Sequence, residues 1–445
     1  MTAQQRFFPL PHDGKAAETT LPGERAEADH GSALKWPHLA PAMAALVAAA
    51  VALVGFQFYA RSVESEYIHA LAPESFDIKN FGSALQVEAV RQPDLVPMFG
   101  SSELDSFVGP YTGSEFFRSY PTGFEVFPIG TKGTTPLIIL QDLVAIGPEL
   151  NGKKIILSAS PTFVRGPGRV REDYYSGNFS RLHASELAFS TSLSFGLKQE
   201  VARRMMRYPR TLDQDGLLKL AVEKLADGSL PSRGLYLALL PLGKMHNVVL
   251  QLQDHWETVA YIQRQGLAPA LPRRPERPDW QSLAILAERE AQRRSGNNPF
   301  GFDDDYWNEH GSWLIRQSGR NNDGTYLRSL HEELEWTDLE LLLKTVQELG
   351  AQPLLLSVPI KGVYYDYWGV SPQAREQYYK KFRATVKPFG FPLLDYQEFD
   401  GDKYFMVDDR SHPSQKGWIY YDQAIDDFFH GRLRPAQEGR SRRGA

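Results

Sequence analysis

The sequence predicts an α/β protein: a five-stranded parallel sheet flanked by helices, carrying a large all-helical insertion and preceded by one N-terminal transmembrane helix. Three observations predict it. Short apolar runs of strand character alternate with stretches of helical periodicity, a long interval between the third and fourth runs is helical, and an uncharged apolar segment stands near the N-terminus.

The strand-like runs are residues 95–99, 125–129, 154–158, 353–358 and 392–395. Residues 134–146 carry apolar side chains at helical spacing after the second run, 336–349 precede the fourth, and 371–386 separate the fourth from the fifth. Strands that alternate with helices pair in parallel, because each crossover returns the chain to the same end of the sheet. The interval of about 178–335 breaks the alternation. It has helix-like stretches at 183–207, 213–226, 234–265 and 279–295, and its prolines at LAPALPRRPERPDW, 267–280, forbid a continuous helix and predict a loop or hinge.

Residues 39–60 carry no charge and are rich in Ala, Val, Leu and Phe, long enough to span a bilayer. The run is longer than the apolar core of a signal peptide and ends in Phe56, Phe58 and Tyr59, which suit a membrane interface, so we read an uncleaved anchor. Arg25 and Lys35 before it nearly balance Arg61 and Lys79 after it, which leaves the orientation open. Residues 1–38 and 436–445, the latter ending in Arg440, Arg442 and Arg443, read as disordered tails. The division is therefore tail 1–38, anchor 39–60, catalytic domain 61–435 with its helical insertion, and basic tail 436–445.

Composition narrows the chemistry. A net charge of −5 over 445 residues does not supply the basic field that neutralises phosphates, so nucleic acid is not an expected partner. The chain has no cysteine, which removes disulfides, thiolate zinc sites and a cysteine nucleophile. His183, His246, His255, His310 and His331 lack metal-ligand spacing, and Asp303, Asp304 and Asp305 lack the glycine and terminal glutamate of a calcium loop, so that stretch reads as a solvated loop. No metal and no cofactor are expected.

Two stretches can carry catalysis. The first is Leu95-Val-Pro-Met-Phe-Gly-Ser-Ser-Glu-Leu104, a strand running directly into Gly100, Ser101 and Ser102. A serine past a strand end sits at the mouth of an open parallel sheet, and small residues there leave backbone N–H groups free to face an oxyanion. Taken alone, Gly-Ser-Ser is also ordinary turn chemistry. The second is the stretch from Val407 to Trp418, where His412 stands at the entry of a helix and Asp409, three residues upstream, can fix the imidazole tautomer. An Asp-rich turn capping that helix explains the same residues. The two stretches together make Ser102, His412 and Asp409 the candidate catalytic residues.

Gly-x-Ser after the first strand, Gly130-x-x-Gly133-Thr-Thr after the second and Asp-x-x-His before the last helix resemble the SGNH (GDSL-like) hydrolase superfamily. Phe99-Gly-Ser-Ser-Glu103, Ser160-Pro-Thr-Phe163 and His412-x-x-x-Lys-Gly-Trp418 resemble, more narrowly, the DltD family of D-alanine-transfer proteins. The resemblance implies a flavodoxin-like SGNH-type fold, Ser102 as nucleophile, Asp409 and His412 completing the triad, and an oxyanion hole from Ser102 and Gly133. The superfamily's usual Asn after the third strand is absent; Ser160, Pro161 and Thr162 stand there. Ser101, Glu103, Thr162 and Lys416 are candidate substrate-binding residues, with Glu103 and Asp105 the nearest carboxylates for an ammonium group. For Glu103, a first-turn carboxylate favouring the helix dipole is the competing reading. The resemblance further implies a body outside the cytoplasm, in the periplasm or at the cell surface. It also implies a DltB-like membrane-bound O-acyltransferase as partner, an acyl carrier protein and an envelope polymer as acceptor.

The expected function is transfer or hydrolysis of an acyl group, D-alanyl by the resemblance, through a seryl acyl-enzyme. An exopolysaccharide O-acetyltransferase or esterase, or a thioesterase, uses the same residues. A scaffold with an idle triad is the alternative of another class.

Overall fold

The computed structural model describes residues 39–104, 108–161, 168–271, 273–319, 321–332 and 335–433. The chain divides into two units, Met1–Ala52 and Leu53–Ala445. The described part of the first is helical and solvent-exposed. The second holds a single five-stranded sheet of β1 (Leu95–Phe99), β2 (Glu125–Ile129), β3 (Lys154–Ala159), β4 (Gln352–Ser357) and β5 (Leu393–Leu394).

All pairings are parallel and the spatial order is β2-β1-β3-β4-β5. This is the flavodoxin-like order, whose switch point lies between β1 and β3. Besides Pro353 near the start of β4, two strand prolines sit where the ladder tolerates them. Pro128 lies on the edge strand β2, while Pro97 lies in the interior strand β1, where pairing to β3 starts only at Met98 opposite Ile156. Pro97 has no N–H to donate, and β1 is tied to β2 along its length and to β3 only at its C-terminal end.

Side chains alternate between two cores. Phe99, Phe127, Ile129, Ile155, Leu157 and Leu355 enter one, and Val96, Met98, Val126, Ile156, Leu354 and Leu356 enter the other. Near-continuous apolar strands buried on both faces are what a parallel sheet requires.

The helices used below are, in chain order, α1 (Leu39–Leu71), α2 (Ala84–Arg91), α3 (Gly113–Ser119), α4 (Pro136–Ile146), α5 (Arg181–Phe189), α6 (Phe195–Met205), α7 (Gly216–Asp227), α8 (Leu230–Gln265), α9 (Trp280–Arg293), α10 (Asp304–Arg316), α11 (Glu335–Leu349), α12 (Pro372–Val386) and α13 (Gln415–Phe429). Among the described residues α1 is the one helix long and apolar enough to cross a membrane, and it continues past the uncharged run to Leu71.

The insertion differs from the expectation in two ways. The stretch predicted as one helix over 183–207 is two, α5 and α6, because Ser190 accepts the Ser192 N–H and Ser194 caps α6 through the Leu197 N–H. Short hydroxyl side chains compete with helical hydrogen bonding in this way. The acidic run is not a loop but the start of α10. Asp303 is the N-cap, accepting from the Asp305 N–H, and Asp304 and Asp305 occupy the first turn, where the helix dipole favours negative charge.

The insertion is also divided between the two faces of the sheet. Leu187, Val201, Leu218 and Ile262 of α5 to α8 join the core on one face of the sheet, whereas Ala287 of α9 joins the core on the other, where α9 packs against α13. The proline-rich segment after α8, which makes this passage, has no regular structure among its described residues and is held to the α3–β2 connection where Glu276 N–H donates to the Pro121 carbonyl at 2.6 Å.

Candidate active site

β1 ends at Phe99 and the chain turns at Gly100 into a 3-10 turn over Ser102–Leu104. The turn is tight. A side chain at Gly100 would meet the Glu103 carboxylate at 2.5 Å, and one at Gly130, at the end of β2, would meet the Gly100 carbonyl at 2.1 Å. Backbone-to-backbone packing of the two loops therefore depends on glycine at 130, and the place of the Glu103 side chain inside the serine turn on glycine at 100.

Ser102 lies at the sheet's switch point, and the C-terminal segment reaches it. Ser102 Oγ stands 2.8 Å from His412 Nε2, and His412 Nδ1 stands 2.5 Å from Asp408 Oδ2. The carboxylate facing the imidazole is thus Asp408, not the expected Asp409. The turn geometry gives the reason. Val407 N–H donates to the His412 carbonyl, and Met406 bridges Pro413, closing a loop in which Asp408 Oδ1 accepts the N–H groups of Arg410, Ser411 and His412. A carboxylate folded into its own loop faces inward. Its neighbour faces away, and Asp409 Oδ1 accepts the Tyr306 hydroxyl at 2.5 Å at the start of α10.

Burial works against the Asp408 carboxylate, but the facing His412 and the donated N–H groups outweigh it and hold its pKa below the usual value. Burial likewise disfavours the His412 imidazolium, and the charge and hydrogen bond of Asp408, with a contribution from Glu103, outweigh it and raise the histidine's pKa. For Asp409, burial and the nearby Asp408 charge push the pKa up.

The loop after β2 carries the second expected element. Gly133 has φ +84°, and a side chain there would strike the Tyr174 ring at 2.7 Å. Its N–H donates to Ser101 Oγ at 3.1 Å, and that hydroxyl lies 3.4 Å from the Thr131 carbonyl. The amide expected to face an oxyanion is therefore held by Ser101. Asn178 fixes this loop, accepting from the hydroxyls of Thr131 and Thr134 and donating to the Lys132 carbonyl at 3.2 Å. Asn80 accepts the Gly130 N–H at 3.0 Å.

The other candidate substrate contacts fare differently. Glu103 is 1% exposed, and its Oε1 accepts the Ser101 N–H at 3.0 Å. Burial raises its pKa. It is an internal strut of the serine turn rather than a receptor at the mouth of a site. Lys416 is also buried, its ammonium committed to Asp402 at 2.6 Å and Glu288 at 3.2 Å. Thr162 and Asp105 lie outside the described residues.

Sequence reasoning missed Asp408, Asn178, Asn80 and Lys361. Lys361 is 2% exposed and donates to the carbonyls of Gly301, Lys403 and Met406, which braces the histidine loop, and burial lowers its pKa to about 7. Asn178, Asn80 and Lys361 sit in no motif. Only Asp408 was within reach of the sequence, as the neighbour of an acid already singled out.

A family model described as DltD protein matches residues 73–430, which include every site residue above. The chain belongs to the DltD family. Among curated DltD proteins, that of Bacillus subtilis (strain 168) is 29% identical over 360 residues, covering 81% of this chain and 88% of the relative. The DltD protein of Staphylococcus aureus (strain NCTC 8325 / PS 47) is 25% identical over 354 residues, 80% of this chain and 86% of its own length. That of Lacticaseibacillus rhamnosus is 25% identical over 398 residues, 88% and 90% respectively. The DltD match begins after α1, so the family assignment rests on the α/β body and its site, independently of the apolar helix.

Proposed function

We propose that this DltD-family chain is a membrane-anchored serine acyltransferase or esterase acting outside the cytoplasm in the D-alanylation of an envelope polymer. Ser102 is the nucleophile, His412 the general base and Asp408 the residue that holds the histidine tautomer. The observation carrying the reading is the series Asp408–His412–Ser102, with both imidazole nitrogens in hydrogen-bond contact, at the switch point of the sheet.

In the proposed reaction His412 Nε2 takes the Ser102 proton as Oγ attacks the acyl carbonyl. The negative charge passes to the carbonyl oxygen, and the leaving group departs with the proton from His412. A polymer hydroxyl, or water, then gives its proton to His412 and attacks the seryl ester, restoring Ser102. The backbone N–H groups of Ser102 and Gly133 are the proposed oxyanion donors, and Gly133 serves once Ser101 Oγ releases it. The proposed organisation is a tail over 1–38, an anchor over 39–60 and a catalytic domain over 61–435. A membrane-bound O-acyltransferase and an acyl carrier protein supply the activated acyl group.

The test is polymer acylation in cells complemented with wild type or Ser102→Ala, measuring D-alanine and acetate released by mild base. Loss of D-alanine alone at normal protein abundance is expected. Loss of acetate instead would reassign the acyl group, and unchanged esters would reject the triad in favour of a scaffold. The scaffold reading draws its support from one observation, the engagement of the Gly133 amide by Ser101.

A further inference from the structure

α8 buries Tyr236, Asn247, Leu250 and Val259 on its inner side, yet its outer side is apolar too. Leu235, Leu242, Met245, Val248, Val249 and Trp256 are 43–68% exposed and recur at the three- and four-residue spacing of one helix face. Between Leu235 and Trp256 the formal charges are Lys244 and Asp254, and neither lies on that stripe. Asp254 points inward and accepts the backbone N–H groups of Ser83 and Ala84 at the head of α2. At about 1.5 Å per residue the stripe runs about 30 Å. A soluble body gains nothing from exposing so long an apolar face.

The contacts with Leu53–Leu71 of α1 show which way the stripe faces. His255 and Trp256 are adjacent on α8, yet His255 meets Glu64 at 2.6 Å while Trp256 packs on Phe56 with ring centroids 5.8 Å apart, eight residues away on α1. Gln263, about two turns beyond Trp256, returns to the Tyr59 hydroxyl at 3.2 Å. Helices lying side by side advance together along both chains. These do not, so α8 crosses α1 steeply. The stripe residue Trp256 faces the Phe56 end, within the apolar run, and the inward-facing His255 faces the polar Glu64 end.

We propose that α8 is an interfacial helix whose outer face rests in the headgroup region of a lipid bilayer. The proposal builds on the reading of residues 39–60 as a membrane anchor. Residues 53–60 are the end of that apolar run, and a helix that crosses them steeply lies along the membrane plane, where its uncharged stripe with Trp256 at one end suits the depth. Residues 39–60 and the stripe then form two attachments, one through the bilayer and one along it.

The native absence of cysteine makes the test direct. Single variants Leu46→Cys, Leu242→Cys, Val249→Cys and Arg289→Cys of the full chain, each carrying a nitroxide, are reconstituted into vesicles of phosphatidylglycerol and phosphatidylethanolamine. Collision with lipid-soluble oxygen is compared with collision with a water-soluble nickel chelate. The expected result is an oxygen-to-nickel ratio at 242 and 249 severalfold above that at 289 and approaching that at 46. A lipid-like ratio at 46 with water-like ratios at 242 and 249 would overturn the proposal and leave the anchor intact. Shielding of 242 and 249 from both reagents would also overturn it, in favour of a second copy on this face. A water-like ratio at 46 would remove the anchor and this proposal together.

Discussion

Two adjacent aspartates divide the labour at the histidine loop, and they are separable by experiment. Asp408→Asn removes the charge opposite His412 Nδ1 and is expected to reduce turnover of a chromogenic ester by roughly 10³–10⁴, the scale known for a serine triad that loses its carboxylate. Asp409→Asn keeps an acceptor for the Tyr306 hydroxyl and is expected to stay within about tenfold of wild type, because Asp409 does not touch the imidazole. Equal losses would return the role to Asp409. The same pair sets a pH signature. His412 is raised from 6.5, so its contribution to folding is full below that value and is lost as pH rises through the folded pKa; Asp408 is lowered from 3.8, so its contribution is full above 3.8 and is lost as pH falls through the folded pKa. The stability difference between wild type and an Asp408→Asn, His412→Gln double variant is therefore expected to peak between pH 3.8 and 6.5 in denaturant melts. On the proposed mechanism ester turnover is expected to follow the other limb, rising with pH as the raised His412 loses its proton. Ser101→Ala is expected to keep or increase activity by freeing the Gly133 amide, whereas Gly133→Ala is expected to lower kcat by about 10²–10³, as when an oxyanion donor is removed. A collapse of activity in Ser101→Ala with native stability would place the Ser101 hydroxyl itself in the reaction.

At the level of elements, the histidine loop is held from below by Lys361. Lys361→Met leaves two buried carbonyls and one half-buried carbonyl short of a donor, at about 1–3 kcal/mol for each buried one, so a loss of about 3 kcal/mol in denaturant melts is expected. Esterase activity should fall with it as the loop carrying His412 loosens. This brace, Asn178 and Asn80 could not be read from the sequence, because each acts across a long gap between segments with no local pattern linking them. Ser102 and His412 could be read, because a serine at a strand end and a histidine at a helix entry both have local signatures. The choice between Asp408 and Asp409 could not, since it depends on which way one turn folds its carboxylate. The five strands were legible to within two residues, because strands buried on both faces are written as apolar runs. The break between α5 and α6 and the helical start at Asp304 were misread. Hydroxyls and acids act there as caps, and composition alone does not distinguish a cap from a loop.

For the whole molecule, the alternation of strands and helices made the parallel sheet legible, but not the division of the insertion between the two faces, which depends on where the proline-rich segment crosses. The proposed topology has its own check. In intact cells a membrane-impermeant maleimide is expected to label Ser192→Cys in the body and not Ser32→Cys in the tail, and the reverse pattern would place the body in the cytoplasm. Finally, Ser102 and His412 are 310 residues apart in the chain. A ribosome working at about 5–20 residues per second makes the serine roughly 15–60 s before the histidine. Until α13 is made and docked, the growing polypeptide holds a serine turn with no base beside it. On the proposed mechanism activity therefore begins only once His412 has reached Ser102, and a chain cut short anywhere before His412 is expected to be inert towards acyl esters.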